Sequence, residues 1–151
     1  MLGALTPRQV EQLLTSEHIG RIGLHGGERT YVVPVTYAYE GNSVIGHTRE
    51  GLKIALAREN PKVCFEVEHV DNLANWRSVI CQGHFVELEG EEAGRVMARF
   101  MDQLLPLITS VAAQPTHGLH PPGTHRLDAS GYATVVWRIE LAEKTGRFEQ
   151  H

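Results

Sequence analysis

The sequence predicts an α+β domain whose main element is an antiparallel β-barrel. Segments with a strand pattern outnumber those with a helix pattern. Most of these strands follow one another through short turns, which is typical of antiparallel sheets and not of a doubly wound parallel sheet. The chain has 151 residues, 42% of them apolar, with no internal repeat and no linker. We therefore expect a single domain over residues 1–151.

The first helix and strand are marked by capping and turn residues. Thr6 is placed to cap a helix, Pro7 suits the first helical position, and Gln9 completes a capping box. A β-like segment follows at Ile19–Leu24 and ends in the turn Gly26-Gly27.

The next strand is predicted at Thr30–Tyr39, a stretch rich in β-branched and aromatic residues. Alternation places Tyr31, Val33, Val35, Tyr37 and Tyr39 on one face. Pro34 lacks an N–H and interrupts the ladder, so we expect a sheet edge, a bulge or a place where another group docks. A hairpin turn at Glu40–Asn42 leads into the returning strand Ser43–Thr48.

The remaining elements follow from hydrophobic periodicity and from breaker residues. We expect a helix at Glu50–Asn60, a strand at Lys62–Val70, a loop at Asp71–Asn75, a strand at Trp76–Leu88, a helix at Glu91–Leu105, a last strand at Tyr132–Leu141 and a polar turn at Thr145–Arg147. Core positions are Val63, Phe65 and Val67 on the first of these strands, and Val96, Met97, Phe100, Met101 and Leu104 on the second helix.

Composition excludes several classes of protein. A net charge of −4 argues against a nucleic-acid binder, which would carry a basic face. No segment approaches the roughly 20 apolar residues of a membrane span, and we expect no signal peptide. Cys64 and Cys81 form no CxxC motif, so we expect two reduced, buried thiols in a cytoplasmic protein, with Cys64 in the core and not a nucleophile.

Standard catalytic and metal-binding motifs are also missing. The chain contains no P-loop, no GxGxxG, no GxSxG and no HExxH. The long segment Pro106–Gly131 carries His117, His120 and His125, in a spacing that matches no usual ligand pattern. We therefore predict no metal site. A loop of this length is usually functional, mobile or a partner contact.

The segment His47–Lys53, with the sequence HTREGLK, ends a strand and opens a helix. The first N–H groups of a helix point outward and favour an anion. Thr48 can donate a hydroxyl hydrogen bond, and Arg49 and Lys53 add positive charge. A phosphate site is one interpretation. A solvated helix start, with Glu50 at the positive end of the helix dipole, is the other.

Four features occur in a fixed order: Gly20-Arg21 after the first helix, YVVPV at 31–35, HxxxGxK at 47–53 before a helix closed by Asn60-Pro61, and WRSV at 76–79. In this order and spacing the chain resembles the FMN-binding split-barrel proteins related to pyridoxamine 5′-phosphate oxidase. It is most similar to the branch that contains the nitroimidazole-resistance reductases. The resemblance covers about Thr6–Val86, with a weaker echo at Tyr132–Arg147.

The resemblance implies an antiparallel split β-barrel with short flanking helices and an FMN site at a homodimer interface. The residues that it assigns to FMN are the backbone of Val33, Pro34, Val35 and Thr36 beside the isoalloxazine ring, Thr48 and Lys53 at the phosphate with Arg49 as a helper, Ser78 as a hydrogen-bonding group, and Trp76 as an aromatic wall. Trp76 is equally interpretable as a partly buried anchor at the end of its strand.

His47 matches a histidine that the nitroimidazole-resistance branch has close to the flavin. It would orient a small substrate or pass a proton, or else merely cap the strand end. The function implied is an FMN-dependent oxidoreductase that passes electrons from a reduced nicotinamide, or another donor, to a small oxidised compound such as a nitroaromatic. One alternative is a non-catalytic module that holds a flavin, a deazaflavin or haem as a sensor, carrier or store. A third interpretation is a structural dimer with an empty pocket.

The resemblance has one clear departure. Pyridoxamine-phosphate oxidases proper carry a run of arginines near the flavin and an arginine-containing motif near the C-terminus. This chain offers only Arg138 and Arg147 near its end, in a different context. We therefore do not predict pyridoxal-phosphate synthesis.

Overall fold

The structure, a computed structural model, describes residues 1–107 and 133–151. Within these ranges the chain forms one eight-stranded sheet and three α-helices. The elements in chain order are β1 (Leu2–Ala4), α1 (Pro7–Ser16), β2 (Ile19–Gly26), β3 (Arg29–Thr36), β4 (Ala38–Glu40), β5 (Ser43–Arg49), α2 (Leu52–Glu59), β6 (Lys62–Asn72), β7 (Asn75–Leu88), α3 (Gly90–Leu104), a 3₁₀ turn at Leu105–Leu107, and β8 (Thr134–Glu149).

The sheet is antiparallel throughout the described residues, with the strand order β3-β2-β6-β7-β8-β5-β4, and β1 pairs with the end of β8. It curls so that Cα atoms of β3 and β5 approach within 8 Å without forming a ladder. The barrel is therefore open between β3 and the β5–β4 hairpin. This confirms the predicted fold class, an α+β antiparallel split barrel with short flanking helices.

Two hydrophobic clusters lie on opposite faces of the sheet. The first fills the barrel interior and includes Phe65 and Trp137, both fully buried. The second lies between α3 and the outer face of β5 and β8. Neighbouring residues of β5 divide between them, because Val44 belongs to the first cluster and Ile45 to the second. Burial of each such side chain contributes about 1.5–3 kcal/mol.

The start of α1 is formed as the sequence predicts. The Gln9 backbone N–H donates to Thr6 Oγ1 at 3.2 Å, and the Gln9 side chain accepts from the Thr6 N–H at 2.9 Å. Pro7 is the first helical residue.

The five predicted core residues of α3 are all buried. No helix in the described part of the chain has the length and apolar character needed to span a bilayer.

Two boundaries in the first half of the chain differ from prediction. The strand expected at Thr30–Tyr39 is split into β3 and β4, because Tyr37 turns inward and donates its hydroxyl to the Leu14 carbonyl at 2.7 Å. The loop expected at Asp71–Asn75 is a tight turn, since β6 runs to Asn72 and β7 starts at Asn75. Asn72 Oδ1 closes this turn by accepting from the Ala74 N–H at 2.9 Å.

The C-terminal strand is longer than predicted. The polar turn expected at Thr145–Arg147 lies inside β8, whose terminal part pairs with β7 on one side and β1 on the other. The sequence pattern did not indicate this extension, because the register shift opposite Gln82 and Gly83 interrupts the alternation of inward and outward residues along β8. The short strand β1 was not predicted. The residues His117, His120 and His125, predicted to lie in a long loop, are outside the described residues.

Candidate functional site

The turn between β5 and α2 brings two of the predicted phosphate-binding side chains together. Lys53 Nζ donates a hydrogen bond to Thr48 Oγ1 at 2.8 Å. The Lys53 side chain is half-buried, and this burial lowers the pKa of its ammonium group. Within residues 1–107 and 133–151, Lys53 forms no ion pair with a carboxylate. Because the Thr48 oxygen accepts from Lys53, its own O–H can donate to a third group.

The N-terminus of α2 lies at the same turn. The helix has eight residues, no side-chain cap and no acidic residue in its first turn. Its first N–H groups therefore have no partner within the helix. A lysine in the first turn opposes the helix dipole unless an anion is also present. The helix start, the Lys53 ammonium and the Thr48 hydroxyl thus supply donors at one place, as an anion requires.

His47 and Arg49 lie on the other face of β5. Alternation sends their side chains to one face and that of Thr48 to the other. The cross-strand partners agree, because Thr48 pairs with Val135 of the interior cluster and His47 pairs with Val136, which packs against the second cluster. The hydrogen bond therefore joins Lys53 to Thr48, whereas the alternation of β5 places the Arg49 side chain on the opposite face from Thr48.

The predicted flavin-contacting residues Val33 to Thr36 lie in β3, an edge strand. One side of β3 pairs with β2, where Pro34 lies opposite Arg21. No described strand pairs with its other side. Val33 and Val35 pack toward the interior, while Pro34 and Thr36 are exposed. Of the alternatives that Pro34 left open, an edge, a bulge or a docking place, the structure shows an edge, and the unpaired side of β3 lies at the opening of the barrel.

Trp76 and Ser78 lie far from Thr48 within one chain. Thr48 pairs with Val135 of β8, and the next β8 residue, Val136, pairs with Leu88 of β7. Leu88 is ten residues beyond Ser78 in β7, which is about 33 Å along a strand. Trp76 donates its Nε1–H to Glu149 Oε2 at 3.2 Å, and Ser78 lies between Glu68 and Arg147. A single chain does not bring these two residues to the β5–α2 turn.

The expectation of two buried thiols is wrong for Cys64. Cys81 is fully buried, and burial raises the pKa of its thiol to about 12. Cys64 is partly exposed, because β6 presents Val63 and Phe65 to the interior and Cys64 to the opposite face. There it lines a cavity of about 530 Å³ together with Gly23 and other residues, none of which is a predicted site residue.

An ion-pair group beside the turn was not predicted. Arg58 Nη2 lies 2.6 Å from Glu50 Oε1 and 2.6 Å from Glu87 Oε1. Glu50 precedes α2 and is eight residues before Arg58, which exceeds the three- or four-residue spacing of helical side-chain pairs, so no local pattern indicated their pairing. Glu87 comes from β7, and no local pattern could have added it.

Comparisons with known proteins agree with this architecture. The family model for pyridoxamine 5′-phosphate oxidase matches residues 6–148. An uncharacterized protein of Rhizobium meliloti strain 1021 is 27% identical over 146 residues, which is 95% of this chain and 92% of that protein.

Two solved structures share the fold. A FAD-binding protein from Mesorhizobium loti has a TM-score of 0.77 at 22% identity, covering 100% of this chain and 98% of the other. A protein from Bacteroides thetaiotaomicron described as a 5-nitroimidazole antibiotic resistance protein has a TM-score of 0.67 at 18% identity, covering 98% of this chain and 87% of the other. The family match extends from Thr6, which caps α1, to Phe148 near the end of β8. The chain belongs to the pyridoxamine 5′-phosphate oxidase family.

Proposed function

We propose that this protein is an FMN-dependent oxidoreductase. In this proposal Thr48 and Lys53 bind the phosphate of FMN, and the backbone of Val33 to Thr36 lies beside the ring. The observation that carries the proposal is the 2.8 Å contact between Lys53 and Thr48 at the uncapped start of α2. When bound, FMN supplies the redox chemistry, and the chain supplies binding, orientation and electrostatics.

The described residues fit a phosphate group. A half-buried ammonium group without a carboxylate partner gains from an anion, since a charge-assisted hydrogen bond is about twice as strong as a neutral one. The unpaired side of β3 leaves backbone N–H and C=O groups that can bond the polar edge of a flavin ring. Pro34 is tolerated in β3 because this is an edge strand, which pairs only with β2 among the described strands.

FMN and FAD share the flavin and the first phosphate, so both are compatible with this site. The Mesorhizobium protein of the same fold is described as FAD-binding. We favour FMN because the donors found here, one ammonium and one hydroxyl with the helix start, match a single terminal phosphate.

For the reaction, we propose that electrons pass from a reduced nicotinamide to a small oxidised compound such as a nitroaromatic. Reduction of a nitro group takes up protons as well as electrons, so a proton donor is needed beside the substrate. We assign that role to an imidazole nitrogen of His47, which is half-buried on the face of β5 opposite Thr48. The name given to the Bacteroides protein of the same fold is what suggests this substrate class.

We further propose that the functional unit is a homodimer with the cofactor between subunits. Trp76 and Ser78 lie at the far end of β7 from Thr48. If the family resemblance assigns both groups to one FMN, a second copy of the chain must bring its own Trp76 and Ser78 to the β5–α2 turn. The unpaired side of β3 supports the same arrangement, because a cofactor and a partner would cover it.

The direct test is the visible spectrum of the purified protein, followed by chromatography of the released cofactor. FMN that co-purifies, bleaches anaerobically with a reduced nicotinamide and recovers its absorbance with a nitro compound supports the proposal. Flavin binding without turnover would favour a carrier or sensor. A Soret band would indicate haem instead. Failure to bind any flavin after reconstitution would refute the assignment.

A further inference from the structure

Arg58 holds two carboxylates beside the Thr48–Lys53 turn. It donates to Glu50 through Nη1 at 3.0 Å and Nη2 at 2.6 Å, and to Glu87 through Nε at 2.8 Å and Nη2 at 2.6 Å. These hydrogen bonds raise the pKa of Arg58 and lower that of Glu87. All three side chains are partly exposed, with 32–48% of the side chain accessible.

Glu50 is the acidic residue closest in sequence to both phosphate-binding groups. It is two residues after Thr48 and three before Lys53, so its Cα lies within about 7.6 Å of the Thr48 Cα. Its backbone N–H is held by the Ala133 carbonyl at 2.9 Å, which fixes the main chain at this point. A free carboxylate here would repel a phosphate and compete for the Lys53 ammonium. Arg58, near the C-terminal end of α2, pairs with this carboxylate and shares its single positive charge between Glu50 and Glu87.

We propose that Arg58 is a positioning residue for the phosphate site, which keeps the Glu50 carboxylate paired and turned away from Thr48 and Lys53. The inference rests on the proposed function of that site. It predicts that Arg58 favours a ligand with a phosphate over the same ligand without one. A purely structural link between α2 and β7 would affect both ligands equally.

The experiment compares FMN and riboflavin binding to the reconstituted protein by flavin fluorescence. Arg58→Met keeps the apolar stem and removes the charge. We expect it to weaken FMN binding roughly 3- to 10-fold at low ionic strength, with less than a two-fold effect on riboflavin. The difference should shrink in high salt, because the charges are partly exposed. Arg95→Met is the matched control, since within residues 1–107 and 133–151 Arg95 pairs with Glu91 alone, on the exposed face of α3.

A second substitution separates charge repulsion from scaffolding. Adding Glu50→Gln to Arg58→Met removes the repelling charge, so FMN affinity should return to within about two-fold of the original. Thermal unfolding of each variant reports the structural contribution separately. Equal losses for FMN and riboflavin, or no recovery with Glu50→Gln, would overturn the role of Arg58.

Failure of the proposed site gives a different result. If Lys53→Ala weakens FMN and riboflavin equally, the phosphate does not bind at this turn, and the Arg58 inference falls with it. If Lys53→Ala is selective for FMN while Arg58→Met is not, only the role of Arg58 is wrong.

Discussion

Lys53 Nζ lies 2.8 Å from Thr48 Oγ1, across the turn that joins β5 to α2. The two residues are five positions apart, and the contact joins the first turn of the helix to the end of the strand. The ammonium group of Lys53 therefore contacts a hydroxyl and not a carboxylate. This places the positive charge of Lys53 at the helix start, where the first backbone N–H groups also point.

The phosphate role of this turn is tested by Lys53→Ala. The substitution removes a charge-assisted contact of about 1.5–3 kcal/mol, so FMN affinity should fall about ten- to a hundred-fold. Riboflavin affinity should change much less, because riboflavin has no phosphate. Equilibrium titration of the flavin-free protein measures both. Lys62→Ala, an exposed lysine at the start of β6, is the control and should leave both affinities unchanged.

The catalytic role of His47 is tested by His47→Ala. Because His47 lies on the face of β5 opposite Thr48, flavin binding and the oligomeric state should survive. Turnover of a nitroaromatic should slow at least about ten-fold, since general acid–base assistance contributes about 10²–10⁴-fold. Turnover at the original rate would make His47 a structural end-cap. Loss of flavin would instead mark it as a cofactor ligand.

The proposed sharing of the site between two chains predicts a flavin-loaded dimer. Sedimentation of the loaded protein should give twice the mass of the chain. A monomer that retains one flavin per chain would contradict the proposal. Mixing Lys53→Ala chains with Ser78→Trp chains should recover intact sites in the mixed dimer, up to about one quarter of all sites under random exchange. No recovery would place all binding groups in one chain.

Close packing against Gly46 is predicted to control the stability of β5. A Cβ at Gly46 would lie 2.2 Å from the Trp137 ring, which is fully buried. Gly46→Ala should therefore destabilise the fold by at least about 1–3 kcal/mol. Gly94 in α3 has open space around its Cβ position, so Gly94→Ala should stabilise by about 0.5–1 kcal/mol. Urea denaturation of both variants gives the comparison, and changes of the same sign would be inconsistent with it.

His69 should make stability depend on pH. Its Nδ1 lies 2.7 Å from Glu17 Oε1 and its Nε2 lies 3.1 Å from Asp71 Oδ1. The hydrogen bond to Glu17, and then that to Asp71, raises the pKa of His69. Its contribution to stability is therefore complete below the pKa of an unfolded histidine, and it is lost as the pH rises through the raised pKa.

His69→Gln should consequently lower the urea midpoint more at about pH 5.5 than at about pH 8.5. His84→Gln is the control for replacing an exposed histidine, because His84 is exposed on β7 and forms no ion pair within residues 1–107 and 133–151. An equal shift of the midpoint at both values would mean that the His69 ion pairs do not contribute.

Local chemistry was sufficient for much of this fold. The Thr6–Gln9 capping box, the inward set Val63, Phe65 and Val67, and the packed face of α3 depend only on spacing along one element. The motif around Thr48 and Lys53 was visible for the same reason, since strand end, turn and helix start are contiguous. Pro34 indicated an edge, a bulge or a docking place because its missing N–H restricts pairing wherever the strand lies.

Tertiary structure decided what depends on partners distant in the sequence. Thr145–Arg147 is strand and not turn because β7 pairs with all three residues, and β1 pairs with Arg147 on the other side. Cys64 is partly exposed because the sheet has a second face, which alternation alone does not assign to core or surface. Glu87 reaches Arg58 only after β7 and α2 are brought together. The separation of Ser78 from Thr48 likewise follows from the β5–β8 and β7–β8 registers, which no single segment of the chain contains.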